Sequence, residues 1–398
     1  MHSGCTVSSA APKRPALELA DIVQKHGEAF RQRHILRREQ LAVLNAIERC
    51  RTALLGGHID VCRDCGAEQQ AYNSCRNRHC PKCQALSQAR WVAQRMTRLL
   101  PTHYFHGVFT LPAQLRPLAR RNANRVYSLL FEAVSETLLE LGRDPEWLGA
   151  TLGITCVLHT WTRELDFHPH VHCIVTGGGL SLDESQWVGS PPNFLLPIEV
   201  MSVLFRDKML AKLKMACQRG QLDLGQAPVD PEEFPQLLDR LYRMDWVVYA
   251  KRPFGGPEQV LRYLGQYTHR TGISNHRLVC MDESGVTFRT KSGKRITLAA
   301  EQFLGRFVQH VLPDGFVKIR HYGLLAAGNV RTKLKAAGDI LACREASNST
   351  TLSEATKVQS DFRALLLQLT GIDLTRCPAC GSHAIERRPL QRAPPVAA

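Results

Sequence analysis

The sequence predicts an α+β protein: a central antiparallel sheet flanked by helices, preceded by a small zinc-binding module. Three observations carry that expectation. Beyond residue 104, short β-rich runs are mixed with longer stretches of helical periodicity, in an order that is neither strictly alternating nor all-β. A Cys-x2-Cys pair at Cys62 and Cys65 is followed, fourteen residues on, by another at Cys80 and Cys83. The 398 residues carry 51 Lys+Arg against 36 Asp+Glu, a formal charge of +15, on a composition that is 44% hydrophobic. That hydrophobic share excludes wholesale disorder, and the length allows two or three units with separate cores.

Residues 1–20 are small, polar and Pro-containing, and read as a flexible tail. Residues 21–53 are expected to be helical, with Ile35, Leu36, Leu41, Leu44 and Ile47 forming the apolar stripe. Gly56-Gly57 ends that segment, the cysteine-rich module follows, and a basic helix over 85–100 runs to Pro101. The region 21–100 is therefore one N-terminal unit. Across 101–343 strands are expected at 105–111, 154–161, 168–176, 246–250, 277–281, 286–290, 295–298 and 317–321. Helices are expected at 114–142, 199–219, 232–244, 257–269 and 300–311. Asp282-Glu283-Ser284-Gly285 reads as a hairpin turn. The remainder, 344–398, reads as a polar linker, a short helix at 361–370 and a Cys-x-x-Cys segment.

No apolar run reaches the ~18 residues of a membrane span, and the opening MHSGCTVSSAAPKRPALELAD lacks the apolar core of a signal peptide. A cytoplasmic protein without a membrane partner is expected, whose fourteen cysteines are thiols rather than disulfides. The charge of +15 points to nucleic acid as the partner.

Two knuckles, Cys62/Cys65 and Cys80/Cys83, could place four thiolates around a tetrahedral Zn²⁺. Cys75 and His79, and His58 beside them, could replace one ligand or support the others. A module with so little apolar content should be folded by its metal. Between Cys62 and Arg98 seven basic residues stand against two acidic ones, which suits DNA phosphates; Arg76, Arg78 and Lys82 are the nearest candidates. Cys377, Cys380 and His383 form only part of a second site, with no fourth ligand evident.

His168, His170 and His172 alternate in HPHVHCIVTGGG. On a strand, His170 and His172 project from one face and could share a divalent ion, while Val171 faces the core. If the chain turns around Arg163–Asp166, His159 stands opposite His170 and supplies a third imidazole. Further on, Tyr263 and Tyr267 are four apart in a helical stretch and share a face, with Gln266 and His269 nearby. Tyrosine is a competent nucleophile toward a phosphate that a metal polarises.

Phe109–Pro112, the HPHVH strand, YLGQYTHRTGISNHRL and KIRHYGLLA together resemble the two-tyrosine HUH (His-hydrophobe-His) transposases of the IS91-like insertion-sequence family. SCRNRHCPKCQ resembles that family's N-terminal zinc-binding domain, and the likeness covers roughly residues 20–345. The resemblance implies an HUH catalytic domain over 101–343 and rolling-circle-type transposition through single-stranded DNA, acting at element ends and target. It assigns the catalytic divalent cation, Mg²⁺ or Mn²⁺, to His170 and His172, and the nucleophiles to Tyr263 and Tyr267. The third ligand varies among HUH enzymes; His159 is the geometric choice and Gln266 the runner-up. It further implies a bacterial cytoplasmic protein associated with the nucleoid while acting. Lys251, Arg252, Arg262, Arg270 and Arg320 are the basic residues expected to hold the strand. The same site would serve a plasmid rolling-circle replication initiator or relaxase. From another class, a non-catalytic zinc-containing DNA-binding regulator would share the charge and the cysteines.

Overall fold

The computed structural model describes residues 15–225, 233–251, 265, 272–348, 367 and 373–393. Among them the strands are, in chain order, β1 (Gly57–Cys62), β2 (Glu68–Tyr72), β3 (Tyr104–Thr110), β4 (Ala150–Trp161), β5 (Phe167–Ser181), β6 (Trp187–Gly189), β7 (Val248–Lys251), β8 (Leu278–Asp282), β9 (Gly285–Arg289), β10 (Arg295–Leu298), β11 (Ile319–Gly323) and β12 (Ile385–Leu390). All pairings between them are antiparallel, and helices flank the sheets, so the fold class is α+β. Each of the eight expected strands is present within a few residues, and β1, β2, β6 and β12 are additional. The helix expected over 257–269 lies outside the described residues except for helical Gly265, and that over 361–370 except for helical Leu367.

The chain forms two compact units, each drawn from separated stretches. One takes the residues up to Arg90, Ile273–Val308 and those from Val358 on; the other takes Trp91–Gly272 and Gln309–Lys357. Residues 273–308 thus group with the N-terminal residues. Long-range bonds explain why: the Leu19 N–H donates to Asn275 Oδ1 (3.1 Å), and Gln40 Nε2 donates to the Val308 carbonyl (2.9 Å).

In the first unit the helix expected over 21–53 is two helices, Leu19–Arg33 and Arg38–Arg49. The His34 N–H closes the first on the Phe30 carbonyl (3.1 Å), and the Arg37 N–H opens the second on the Gln40 side chain (2.9 Å). Ile35, read as part of the apolar stripe, is fully exposed in the break. Phe30, Val43, Leu44 and Ile47 are buried. Two three-stranded sheets complete the unit, β12-β1-β2 and β10-β9-β8, the latter turning at Asp282–Gly285 as expected.

The second unit is built on a sheet of order β11-β4-β5-β3-β7, with β6 added to β5. Its strands turn alternate residues to two faces. Leu152, Ile154, Cys156 and Leu158 of β4, Val171, Cys173 and Val175 of β5, and Phe109 of β3 join one buried core with residues of the helices Ala123–Arg143 and Ile198–Gln218. The intervening residues face the other side. There Tyr104, Val157 and Ile174 pack with Trp91, Val92, Met96 and Leu99. The histidines share that second face.

Candidate active site and metal centres

The turn expected between β4 and β5 spans Thr162–Asp166. The Thr162 N–H donates to the Asp166 carbonyl (2.9 Å), while the Thr162 hydroxyl accepts from the Glu164 and Asp166 N–H groups at 3.2 and 3.1 Å. This turn fixes the register, and His159 stands directly across from His170. A one-residue slip would have turned His159 into the core. Two residues along, Val157 faces His172, and a register shift between His159 and Trp161 bends the strand beside the pair.

The imidazoles of His159, His170 and His172 converge, each offering a nitrogen within 4.8 Å of the others. His159 and His172 are buried and His170 is half-buried. The Nε2 atoms of His170 and His172 are 3.1 Å apart. Two ligands about 2.1 Å from one ion at a right angle would stand about 3.0 Å apart, so this spacing suits a shared cation. His170 Nδ1 donates to the His168 carbonyl (2.7 Å), which leaves its Nε2 as the lone pair facing His172. His168 itself is bonded to Arg116 (2.8 Å) and stands outside the group.

A residue with no place in the sequence reading supports the cluster. His106 of β3 lies on the same face, its Nε2 2.9 Å from His172 Nδ1 and its ring stacked at 5.1 Å. Burial, with Lys251 nearby, holds its pKa down at about 4, so it is neutral at ordinary pH. Metal-bound imidazoles are commonly oriented by such a partner on the opposite nitrogen. The period-2 pattern of residues 105–111 was the available signal, since it places His106 with Val108 and Thr110 opposite Phe105 and Phe109. Lys251, the cross-strand partner of His106, also shares this face.

The cysteines group differently from the sequence expectation. Cys80 and Cys83 join Cys50 and Cys75, while Cys62 and Cys65 join Cys377 and Cys380. The expected quartet of Cys62, Cys65, Cys80 and Cys83 is therefore corrected. The reason is the β1–β2 hairpin. At its base the Asn73 N–H donates to the Gly56 carbonyl (3.0 Å) and the Arg51 N–H to the Asn73 carbonyl (3.1 Å), returning Cys75 to Cys50 at the end of its helix. At its tip, about five residues or ~17 Å of strand away, sit Cys62 and Cys65. In the first group Cys83 Sγ lies 3.5 Å from Cys50 Sγ and 3.6 Å from Cys75 Sγ. Hydrogen bonding with its neighbours, led by Cys75, holds the Cys50 thiol down at about 7. Cys50 was missed because a lone cysteine at a helix end carries no spacing signal. His79 is outside both groups, and His383 bonds to the Thr375 carbonyl (2.9 Å) instead of completing the second.

The DNA-binding candidates also divide. Arg76 is exposed and Arg78 half-buried. Lys82 is held by Glu18 at 2.5 Å, both largely buried. Arg320 packs over Phe131 and Phe316 (4.5 and 5.2 Å) and donates to the Ser128 hydroxyl (3.1 Å). Tyr263, Tyr267, Gln266, Arg252, Arg262 and Arg270 lie outside the described residues. No helix among the described residues is long and apolar enough to cross a membrane.

Residues 153–333 match the family described as "Putative transposase", and residues 22–111 that described as "Transposase zinc-binding domain". The chain is 45% identical to "Putative transposase y4qJ" of Sinorhizobium fredii over 92% of its own length and 94% of that protein. It is 28% identical to "Transposase for insertion sequence element IS801" of Pseudomonas savastanoi pv. phaseolicola, over 84% of its length and 80% of that protein. No solved structure matches it. With a zinc-binding domain ahead of a transposase domain, and similarity to both relatives along most of its length, the chain belongs to the IS91-like family of insertion-sequence transposases.

Proposed function

We propose that this transposase cuts and rejoins single-stranded DNA at its element's ends by tyrosine attack assisted by a divalent cation. The observation that carries this reading is the convergence of His159, His170 and His172 on one sheet face. Those three imidazoles would hold Mg²⁺ or Mn²⁺, and a nitrogen-rich set should serve Mn²⁺ well. When bound, the cation polarises the scissile phosphate and offsets the charge on the leaving oxygen. Tyr263 or Tyr267 is the nucleophile: its phenolic oxygen bonds to phosphorus as the bond to the 3′-oxygen breaks, the tyrosine proton is lost, and the 3′-oxygen leaves as a hydroxyl. A 5′-phosphotyrosine results. Attack by a 3′-hydroxyl reverses the step and joins strands without ATP, because the covalent link conserves the phosphodiester energy. Two tyrosines permit a second cut while the first end is still attached.

The formal charge of +15 supplies the attraction for the strand. Lys251, on the imidazole face, together with Arg252 and Arg270, would position the backbone near the reacting phosphate. Arg76 and Arg78 would contact DNA from the N-terminal module, which zinc on Cys50, Cys75, Cys80 and Cys83 would fold. The similarity to named transposases favours transposition over plasmid replication. A single-stranded end oligonucleotide with Mg²⁺ or Mn²⁺ tests the chemistry. The wild-type protein should form a denaturation-resistant adduct, and the Tyr263→Phe/Tyr267→Phe protein should form none. An adduct in the double variant would overturn the nucleophiles, and nicking in EDTA would overturn the cation.

A further inference from the structure

We infer a second structural zinc site at Cys62, Cys65, Cys377 and Cys380, which fastens the C-terminal segment to the N-terminal module. The family match to a zinc-binding domain ends at residue 111, so it contains only half of these ligands. The four sulfurs lie within 4.8 Å of one another, with Cys62–Cys380 and Cys65–Cys377 both at 3.6 Å. Thiolates around zinc at ~2.3 Å stand about 3.8 Å apart in a tetrahedron, whereas a disulfide would require about 2.05 Å.

The two halves are built alike. In CRDCG the Gly66 N–H donates to the Cys62 carbonyl (2.9 Å), and the Cys62 N–H to the Ala67 carbonyl (2.9 Å). In CPACG the Gly381 N–H donates to the Cys377 carbonyl (2.8 Å), and the Cys377 N–H to the Ser382 carbonyl (2.8 Å). Gly66 and Gly381 have left-handed backbones, φ +74° and +77°, at the same place in each turn. The Cys65 N–H points at the Cys62 sulfur and the Cys380 N–H at that of Cys377. Two turns from distant parts of the chain, with Cys65 and Cys377 312 residues apart, share one hydrogen-bond plan, turn their sulfurs together and form a built ligand set.

Beyond the six-residue backbone ladder between β1 and β12, the surrounding sheet has little side-chain packing. Along β1, β2 and β12 only Cys62 is buried. The polar links across β1 and β12 are exposed: Arg387 forks onto Asp60 at 2.7 and 2.8 Å, and Arg63 reaches Glu386 at 3.1 Å. Such exposed pairs add little, so a metal at the cysteines would reinforce the backbone ladder that joins β12 to β1.

Two measurements on the full-length protein decide the matter, and neither depends on nicking. Elemental analysis should find two zinc ions per chain, falling to one in Cys377→Ser/Cys380→Ser. In the wild-type protein, Cys65 and Cys380 are exposed, as are Cys280 and Cys343. Alkylation followed by mass spectrometry should label Cys280 and Cys343 at once but spare Cys65 and Cys380 until a chelator is added. Labelling of all four at the same rate before chelation, with one zinc per chain, would overturn the site. Because this readout uses the wild-type chain, a misfolded variant does not obscure the result.

Discussion

His106 offers the sharpest test of how the imidazole cluster is held. Its ring is almost buried, stacks on His172, and shares one 2.9 Å hydrogen bond with His172 Nδ1. If His172 turns Nε2 to the cation, Nδ1 carries the proton and donates to the neutral His106. His106→Phe keeps a flat ring of similar size and removes the acceptor. Loss of such an orienting partner typically weakens metal binding ten- to a hundredfold, or about 1.4–2.7 kcal/mol. Nicking of a single-stranded end oligonucleotide, titrated with Mn²⁺, should show a half-saturating concentration raised by that factor. Cleavage should recover largely at saturating Mn²⁺, because the tyrosines and the other imidazoles are untouched. An unchanged Mn²⁺ dependence in a folded His106→Phe protein would refute the orienting role.

Two further outcomes follow from the same unit. His310 is fully buried between the Thr160 hydroxyl (3.3 Å) and the Leu165 carbonyl (3.1 Å), and burial holds its pKa down at about 4. Between about pH 6.5 and 4 the unfolded chain binds a proton that the fold rejects, so the stability from neutral His310 is full above 6.5 and lost as pH falls. Urea unfolding at pH 7 and 5 should show this decline in the wild type and a flatter one in His310→Gln, while an equal slope would contradict the assignment. Phe205 has no exposed surface and meets Phe109 and Trp246 edge-on at 5.2 and 5.3 Å. Phe205→Ala should cost about 3–5 kcal/mol in denaturant unfolding; a loss below about 1 kcal/mol would mean this helix does not anchor the sheet.

The parts of the fold that were legible in the sequence are those specified by local pattern. Alternation through 154–161 and 168–176, with a short turn between them, was sufficient to put His159 opposite His170. The same logic reached neither His106 nor the cysteine pairing. His106 depends on β3 lying beside β5, a pairing from distant chain. Cys377 and Cys380 meet Cys62 and Cys65 only because β12 closes on β1, and nothing near residue 62 announces that. The nearer pair at Cys80 and Cys83 fell just short of the usual spacing, and the hairpin's length separates it from the tip. The break at His34–Arg37 was equally hidden, since no glycine or proline marks it. Positive charge was read from Lys82 and Arg320 without their partners, Glu18 and a phenylalanine pair, which only the tertiary fold supplies.

Pulsed electron paramagnetic resonance of the Mn²⁺-loaded protein tests the central claim most directly. Nitrogen couplings from more than one imidazole are expected, and they should disappear in His170→Gln/His172→Gln. Mn²⁺ bound through oxygen alone, or couplings unaltered by that double substitution, would contradict a cation held by the histidine face.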